Sequence, residues 1–336
     1  MDELSALLLH IVQEKPQRIV ALHGLLTGRQ TASILFAGLE NDQLNLFDLL
    51  PKLNRETFEH AVQALADDGL LLRDDKHMQR TAAGTAAMNQ ADPYHLDRMR
   101  FVRAGSDARA FGDHFYLAVQ VLSEASFQDK HYRPITADAR VQWRVKQWYR
   151  ESGHETADAV AELTQLFARL SVASAQALAQ RLIAHDYSGD PNLQVDPLGL
   201  DETLALSELQ LLIEQSQDVP HWRGLSGWRR ELVSQPALQT ADDFNHGQSI
   251  QQIATRRNRK LSTITEHLQT AGIFGYPFDP RSFYTEEQEA LLQVAWEAGK
   301  RGYQDLLATS SDLEFLQVRM FQILKLREQR DERATQ

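Results

Sequence analysis

One stretch constrains the fold more than any other: DDFNHGQSIQQIATRRNRKLSTITEHLQTAG, residues 242–272. Gly247 is a natural helix stop, because only glycine takes a left-handed backbone freely. Ser249 then caps a new helix, whose inward residues are Ile250, Ile253 and Ala254. Ala254 is small enough to let two helices cross closely. The break Arg257-Asn258-Arg259-Lys260 follows, with Asn258 at the position where positive φ is needed. Leu261, Ile264 and Leu268 recur at helical spacing and predict the inner face of a second helix. Two short helices joined by so tight a turn form a helix-turn-helix.

The chemistry of this motif lies on its outer side. Arg256, Arg257, Arg259 and Lys260 place four cations within five residues, the densest basic cluster in the chain. Ser262, Thr265, Glu266 and Gln269 are expected to face outward, with Thr263 and His267 beside them. Hydroxyls and free amides at a helix N-terminus bind phosphate, and clustered cations release counterions from DNA. The expected DNA-contacting set is Arg256, Arg257, Arg259, Lys260, Ser262, Thr263, Thr265 and His267.

Most other segments show helical periodicity. Helices are expected near residues 4–13, 18–26, 31–39 and 54–68. Gly69 closes the last of these, and residues 70–73 and 77–81 could pair as a hairpin around Asp74-Asp75. Thr81 would cap a further helix. A helix followed by a small hairpin is the order of a winged helix. Its exposed face, with Arg55, Glu56, Glu59, His60, Gln63 and Asp67, holds more acid than base, so phosphate would be repelled. Further helices are expected at 94–103, 111–127, 138–151, 155–170, 173–185, 203–215 and 228–234. The run HDYSGDPNLQVDPLGLDET breaks the series near 186–200. The expected fold is therefore all-α. A winged-helix-like domain spans 1–90, a helical middle region 91–235 and a helix-turn-helix domain 236–336.

Composition narrows the function. The 336 residues contain no cysteine, which excludes disulfides, thiolate metal sites and a cysteine nucleophile. The acidic start and the lack of a long apolar run predict a soluble, cytoplasmic protein, with nucleoid association open to it. The net charge of −11 argues against a broad nucleic-acid-coating surface. The last third, with 12 basic and 14 acidic residues, is the most nearly balanced. In the middle, RVQWRVKQWYR mixes Arg140, Trp143, Arg144, Lys146, Trp148 and Arg150. Val141, Val145 and Trp148 share one face, so solvated cations over a packed stripe is the favoured reading there, and nucleic-acid contact the lesser one.

Enzyme motifs are not found. GLLTGRQT has the wrong glycine spacing for a phosphate loop, and Arg29 stands where lysine is needed. GLSGW is not a nucleophile elbow, since Trp228 occupies the last glycine's place. No histidine pair has metal-ligand spacing. No catalytic residue, metal or cofactor is expected.

The run SIQQIATRRNRKLSTITEHL is similar to the helix-turn-helix of LuxR-type regulators. It more closely resembles the helicase helix-turn-helix family found at the C-terminus of some RecQ helicases and in the YpbB-like family, encoded beside a RecQ-type helicase in Firmicutes. The resemblance continues through SFYTEEQEALLQVAWEAG and GYQDLLATSSDLEFLQVRMFQILKLRE, and returns in the N-terminal third from RIVALHGLLTGRQT to NRETFEHAVQALADDGLL. The middle matches loosely. Asn258 stands where glycine is usual, and Arg259 and Lys260 where the LuxR-type pattern has an apolar residue and a capping serine. The resemblance implies a non-catalytic DNA-binding accessory protein whose partners are DNA and a RecQ-type helicase, acting in DNA repair or recombination. Alternatives are a transcription regulator, dimerised through residues 315–327, and a scaffold that uses the motif for protein docking. The oligomeric state is left open.

Overall fold

The computed structural model describes residues 1–90, 92–153, 155–193 and 196–335. The elements begin with α1 (Glu3–Ile11), β1 (Gln17–Arg18), α2 (Ile19–Leu26), α3 (Ala32–Glu40), α4 (Arg55–Asp67), β2 (Leu71–Arg73), β3 (His77–Arg80) and α5 (Ala82–Met88). They continue with α6 (Ala108–Ser126), α7 (Ala139–Glu151), α8 (Thr156–Arg169), α9 (Val172–Ala179), α10 (Leu200–Gln215) and α11 (Pro220–Ser226). The last are α12 (Gln235–Asn245), α13 (Ile250–Arg257), α14 (Leu261–Ile273), α15 (Glu286–Glu297), α16 (Tyr303–Leu307) and α17 (Phe315–Thr335). The protein is mainly helical, and no helix among the described residues is long and apolar enough to cross a membrane.

The chain forms two compact units that interleave along the sequence. The first comprises Met1–Glu14, Lys52–Arg73 and Arg80–Arg230; the second comprises Lys15–Pro51, Asp74–Gln79 and Glu231–Gln336.

The first unit holds α1, α4 to α11 and β2. Asn54 caps α4 by accepting from the Thr57 amide at 2.8 Å, and Phe58, Ala61, Val62 and Leu65 form its buried face. Gly69 takes φ 71° where that helix ends, and Thr81 caps α5 through the Gly84 amide. These local features match their expected positions. The core of the unit gathers Phe111, Phe115, Leu166, Leu209 and Trp222 from α6, α8, α10 and α11. Trp148 and Trp222 are buried apolar bodies whose indole N–H groups still need acceptors. They find them in the carbonyls of His221, at 2.6 Å, and Ala159, at 2.8 Å.

Several expected helices change. Residues 94–103 form only a 3-10 turn over Leu96–Phe101. The helix expected at 173–185 stops at Ala179, after which Ala184 and Tyr187 make an isolated bridge. In the expected loop near 186–200, residues 194 and 195 lie outside the described residues. Residues 228–234 are not helical, because tertiary hydrogen bonds claim their backbone. The Trp228 carbonyl accepts from the Asp107 amide and from Gln210 Nε2, and the Arg230 amide donates to Gly105. The neighbouring helix is α11, started by Pro220 in its first turn, where a missing N–H costs nothing.

The second unit holds α2, α3 and α12 to α17. The two-residue strand β1 escaped the sequence reading; it pairs antiparallel with β3, Gln17 opposite Met78 and Arg18 opposite His77. The glycine-rich turn after α2 serves the fold, since the Gly28 and Arg29 amides donate to the Leu25 and Gly24 carbonyls. Helix α3 packs against α14 and α17, and the Arg319 guanidinium lies 3.6 Å over the Phe36 ring. Gly272 lets α14 approach α17 closely: a Cβ there would stand 3.0 Å from the Met320 side chain and 3.2 Å from that of Ile323. Val318, Met320, Phe321 and Ile323 of α17 are buried within this unit. That apolar face, considered above for dimerisation, is therefore used inside the chain.

Candidate nucleic-acid interface

Helices α12, α13 and α14 pack mutually and form the core of the motif. Ser249 and Gln252 make a capping box at the start of α13, each side chain satisfying the other residue's backbone amide. Asn258 ends α13 in the left-handed conformation, φ 49° and ψ 51°. The break is thus Asn258-Arg259-Lys260, one residue shorter than expected, since Arg257 is still helical. Ile253, Ala254, Ile264 and Leu268 are all buried. Leu261, expected inside, is 49% exposed, because it is the first residue of α14 and projects before the helix meets its neighbours. Gln269, expected outside, is buried, and its amide donates to the Thr265 carbonyl at 3.2 Å.

The basic cluster divides into two pairs. Arg256 and Arg257 both reach Asp243 on α12. Arg257 Nε stands 2.8 Å from Asp243 Oδ2, and its Nη1 donates to Gln239 at 3.0 Å. Burial raises the affinity of the Asp243 carboxyl for a proton, but hydrogen bonds from the two arginines outweigh this and hold its pKa below the usual value. Arg259 and Lys260 stand exposed in the turn itself.

Lys260 is the N-cap residue of α14 and its side chain makes no cap bond. The Thr263 and Ile264 amides donate to the Lys260 carbonyl, so the anion-attracting end of the helix lies at Leu261 and Ser262. Ser262 is exposed beside it, while Thr263 and Thr265 are half-buried. The Thr265 hydroxyl donates back to the Ser262 carbonyl at 2.8 Å. His267 turns toward α12, with Nδ1 2.9 Å from the Thr240 hydroxyl. Burial, then the positive charge of Arg257 and Arg259, lowers its pKa. His267 thus packs within the motif, and its surroundings favour the neutral imidazole. On the outer side of α13, Gln248, Gln251, Gln252, Thr255 and Arg256 line an open depression of about 610 Å³.

Residues 236–322 match a family model described as a helix-turn-helix domain. The match runs from α12 into the first part of α17. The chain thus carries a C-terminal helix-turn-helix domain. No curated protein and no solved structure matches the chain.

A group with metal-ligand chemistry lies in the first unit. Glu124, Asp129 and His185 bring ligand atoms within 4.8 Å of one another. His185 Nδ1 is 2.7 Å from Glu124 Oε2, and that hydrogen bond raises the imidazole pKa. The same geometry is that of an ion pair between His185 and Glu124.

Proposed function

We propose that this protein binds DNA through the turn and first turn of α14, and that it does so as a non-catalytic accessory of a RecQ-type helicase in DNA repair or recombination. The observation that carries the DNA reading is the exposed pair Arg259 and Lys260 placed directly at an uncapped helix N-terminus with Ser262 beside it. Two cations, a hydroxyl and free amides together form a phosphate-binding end. In a helix-turn-helix this end of the second helix enters the major groove while the first helix crosses the backbone. The polar outer side of α13 suits that role.

The helicase partnership rests on the resemblance at both ends of the chain, and the net charge of −11 leaves most of the surface free for protein contact rather than DNA. On this reading the protein supplies duplex or junction affinity in trans and hydrolyses nothing itself.

The test is a salt series of duplex and forked-DNA binding, comparing wild type with Arg259→Ala/Lys260→Ala. Loss of two phosphate contacts is expected to reduce the slope of log affinity against log salt by about 1.8. If the wild type binds neither DNA at low salt, the motif is a protein-docking fold. A palindromic footprint would instead assign a regulator. Co-purification with a RecQ-type helicase checks the partnership separately.

A further inference from the structure

Helix α7 was read from sequence as solvated cations over a packed stripe, with nucleic-acid contact the lesser reading, and its burial pattern fits the stripe. Val141, Val145 and Trp148 are buried, and the Arg144 guanidinium is committed to the Gly224 carbonyl at 2.9 Å. The other face of the helix carries one feature that reading does not explain. Trp143 is 61% exposed, and Arg140, Lys146 and Arg150 are exposed around it. None of these three makes an ion pair among the described residues. Most of the Trp143 indole therefore meets solvent beside cations that make no ion pair among the described residues. Trp148, Trp222 and Trp296 are all buried, so Trp143 is set apart from them.

Next to this face lies an open cleft of about 890 Å³, between the end of α6, the loop after it and α7. Leu117, Val121, Ala125 and Val145 give it an apolar floor, while Lys130, Lys146, Tyr132 and Tyr149 stand with Gln128 and Gln142 at its sides. Its volume lies in the range of small-ligand sites. Asp129 also lines it, and Asp138 and Glu151 sit near the ends of α7. Glu124 also acts on Tyr132 but is paired with His185, Asp138 is engaged as the cap of α7, and five cations (Lys130, Arg133, Arg140, Lys146 and Arg150) outnumber these four acids.

We propose that this face of α7 and the adjoining cleft bind single-stranded nucleic acid, with Trp143 as a stacking platform and the cleft as the receptor of one unstacked base. The chemistry selects the strand state. An exposed indole can stack on the face of an unstacked base, whereas bases inside a duplex already stack on their neighbours. Cations spaced along the helix follow a backbone, while tyrosines, amides and an apolar floor suit a planar heterocycle with polar edges. The inference is independent of the α14 reading, since it concerns different residues in the other unit.

The experiment uses the full chain carrying Arg259→Ala/Lys260→Ala, which removes the α14 phosphate contacts. An oligothymidylate is titrated while tryptophan fluorescence and anisotropy are followed. Binding with quenched fluorescence is expected to persist in this background. Adding Trp143→Ala should weaken it roughly tenfold, with Trp143→Phe retaining most of the affinity. Adding Lys146→Ala/Arg150→Ala should reduce the single-strand salt slope by about 1.4. These side chains are exposed, so the variants should keep the wild-type thermal transition, which is measured alongside. Absence of oligothymidylate binding at low salt overturns the proposal, as does binding that the α7 substitutions leave unchanged. Equal competition by a blunt duplex overturns it too. Duplex binding by the chain with native Arg259 and Lys260 reports on the α14 reading alone.

Discussion

Asp243 neutralises much of the positive charge at the end of α13. It accepts from both Arg256 and Arg257 and is itself 18% exposed. Replacing it by asparagine keeps the shape and removes the charge. The Asp243→Asn variant should lose about 1–2 kcal/mol of stability, a figure kept small by the exposure of Arg256. Its duplex affinity should rise, because two arginines are released beside the interface. Stability falling without any gain in affinity would show that these arginines serve only the fold. The acid profile provides a second readout. The folded pKa of Asp243 lies below its ordinary value, so its contribution is full above about pH 4 and is lost as pH falls through the depressed value. Denaturant unfolding across that range should show the loss in wild type and not in the variant. The four-cation cluster was legible in the sequence, but its partition was not, because Asp243 lies on the preceding helix and joins the cluster only when α12 packs against α13. The same holds for His267, which meets Thr240 only through the packing of α12 on α14.

The elements of the motif were largely written in local chemistry. Ser249 and Asn258 take conformations their side chains suit, and Gly247, with no side chain, takes φ 84°, so the beginning and end of α13 could be read without tertiary information. Inward and outward residues at the ends of α14 were less legible. Periodicity describes an infinite helix, whereas Leu261 and Gln269 depend on where the neighbouring helices begin and end. Likewise β1 has only two residues, too few to show a period. Asn258 allows a test at this scale, since a residue at φ 49° is strained unless it is glycine or a short polar side chain. Asn258→Gly should leave the thermal midpoint close to wild type. Asn258→Val should lower stability by about 1–2 kcal/mol, since a β-branched residue is an outlier there. If both variants melt like wild type, the turn does not depend on this conformation.

At the scale of the molecule, the helix-turn-helix domain does not draw its core from residues 236–336 alone. Within the same unit, α3 lies against both α14 and α17, Phe47 meets Phe274 edge-on with ring centroids 6.4 Å apart, and Asp42 lies 3.6 Å from Arg330. Ile34, Leu35 and Leu39 of α3 are buried almost completely. The sequence reading bounded the helix-turn-helix domain at 236–336 because turn signals and periodicity are local, and neither records which distant helix covers an apolar face. A fragment of residues 236–336 would leave apolar surface of α14 and α17 in water, at about 25 cal/mol for each Å² uncovered. We expect it to unfold at a markedly lower temperature than the full chain and to bind a hydrophobic dye. Its DNA affinity should fall as well, although Arg259, Lys260 and Ser262 are all present. A fragment in which residues 15–51 are linked ahead of 236–336 should recover much of both losses. If 236–336 alone melted and bound like the full chain, α2 and α3 would be dispensable to the motif, and the packing of α3 on α14 would carry no energetic weight.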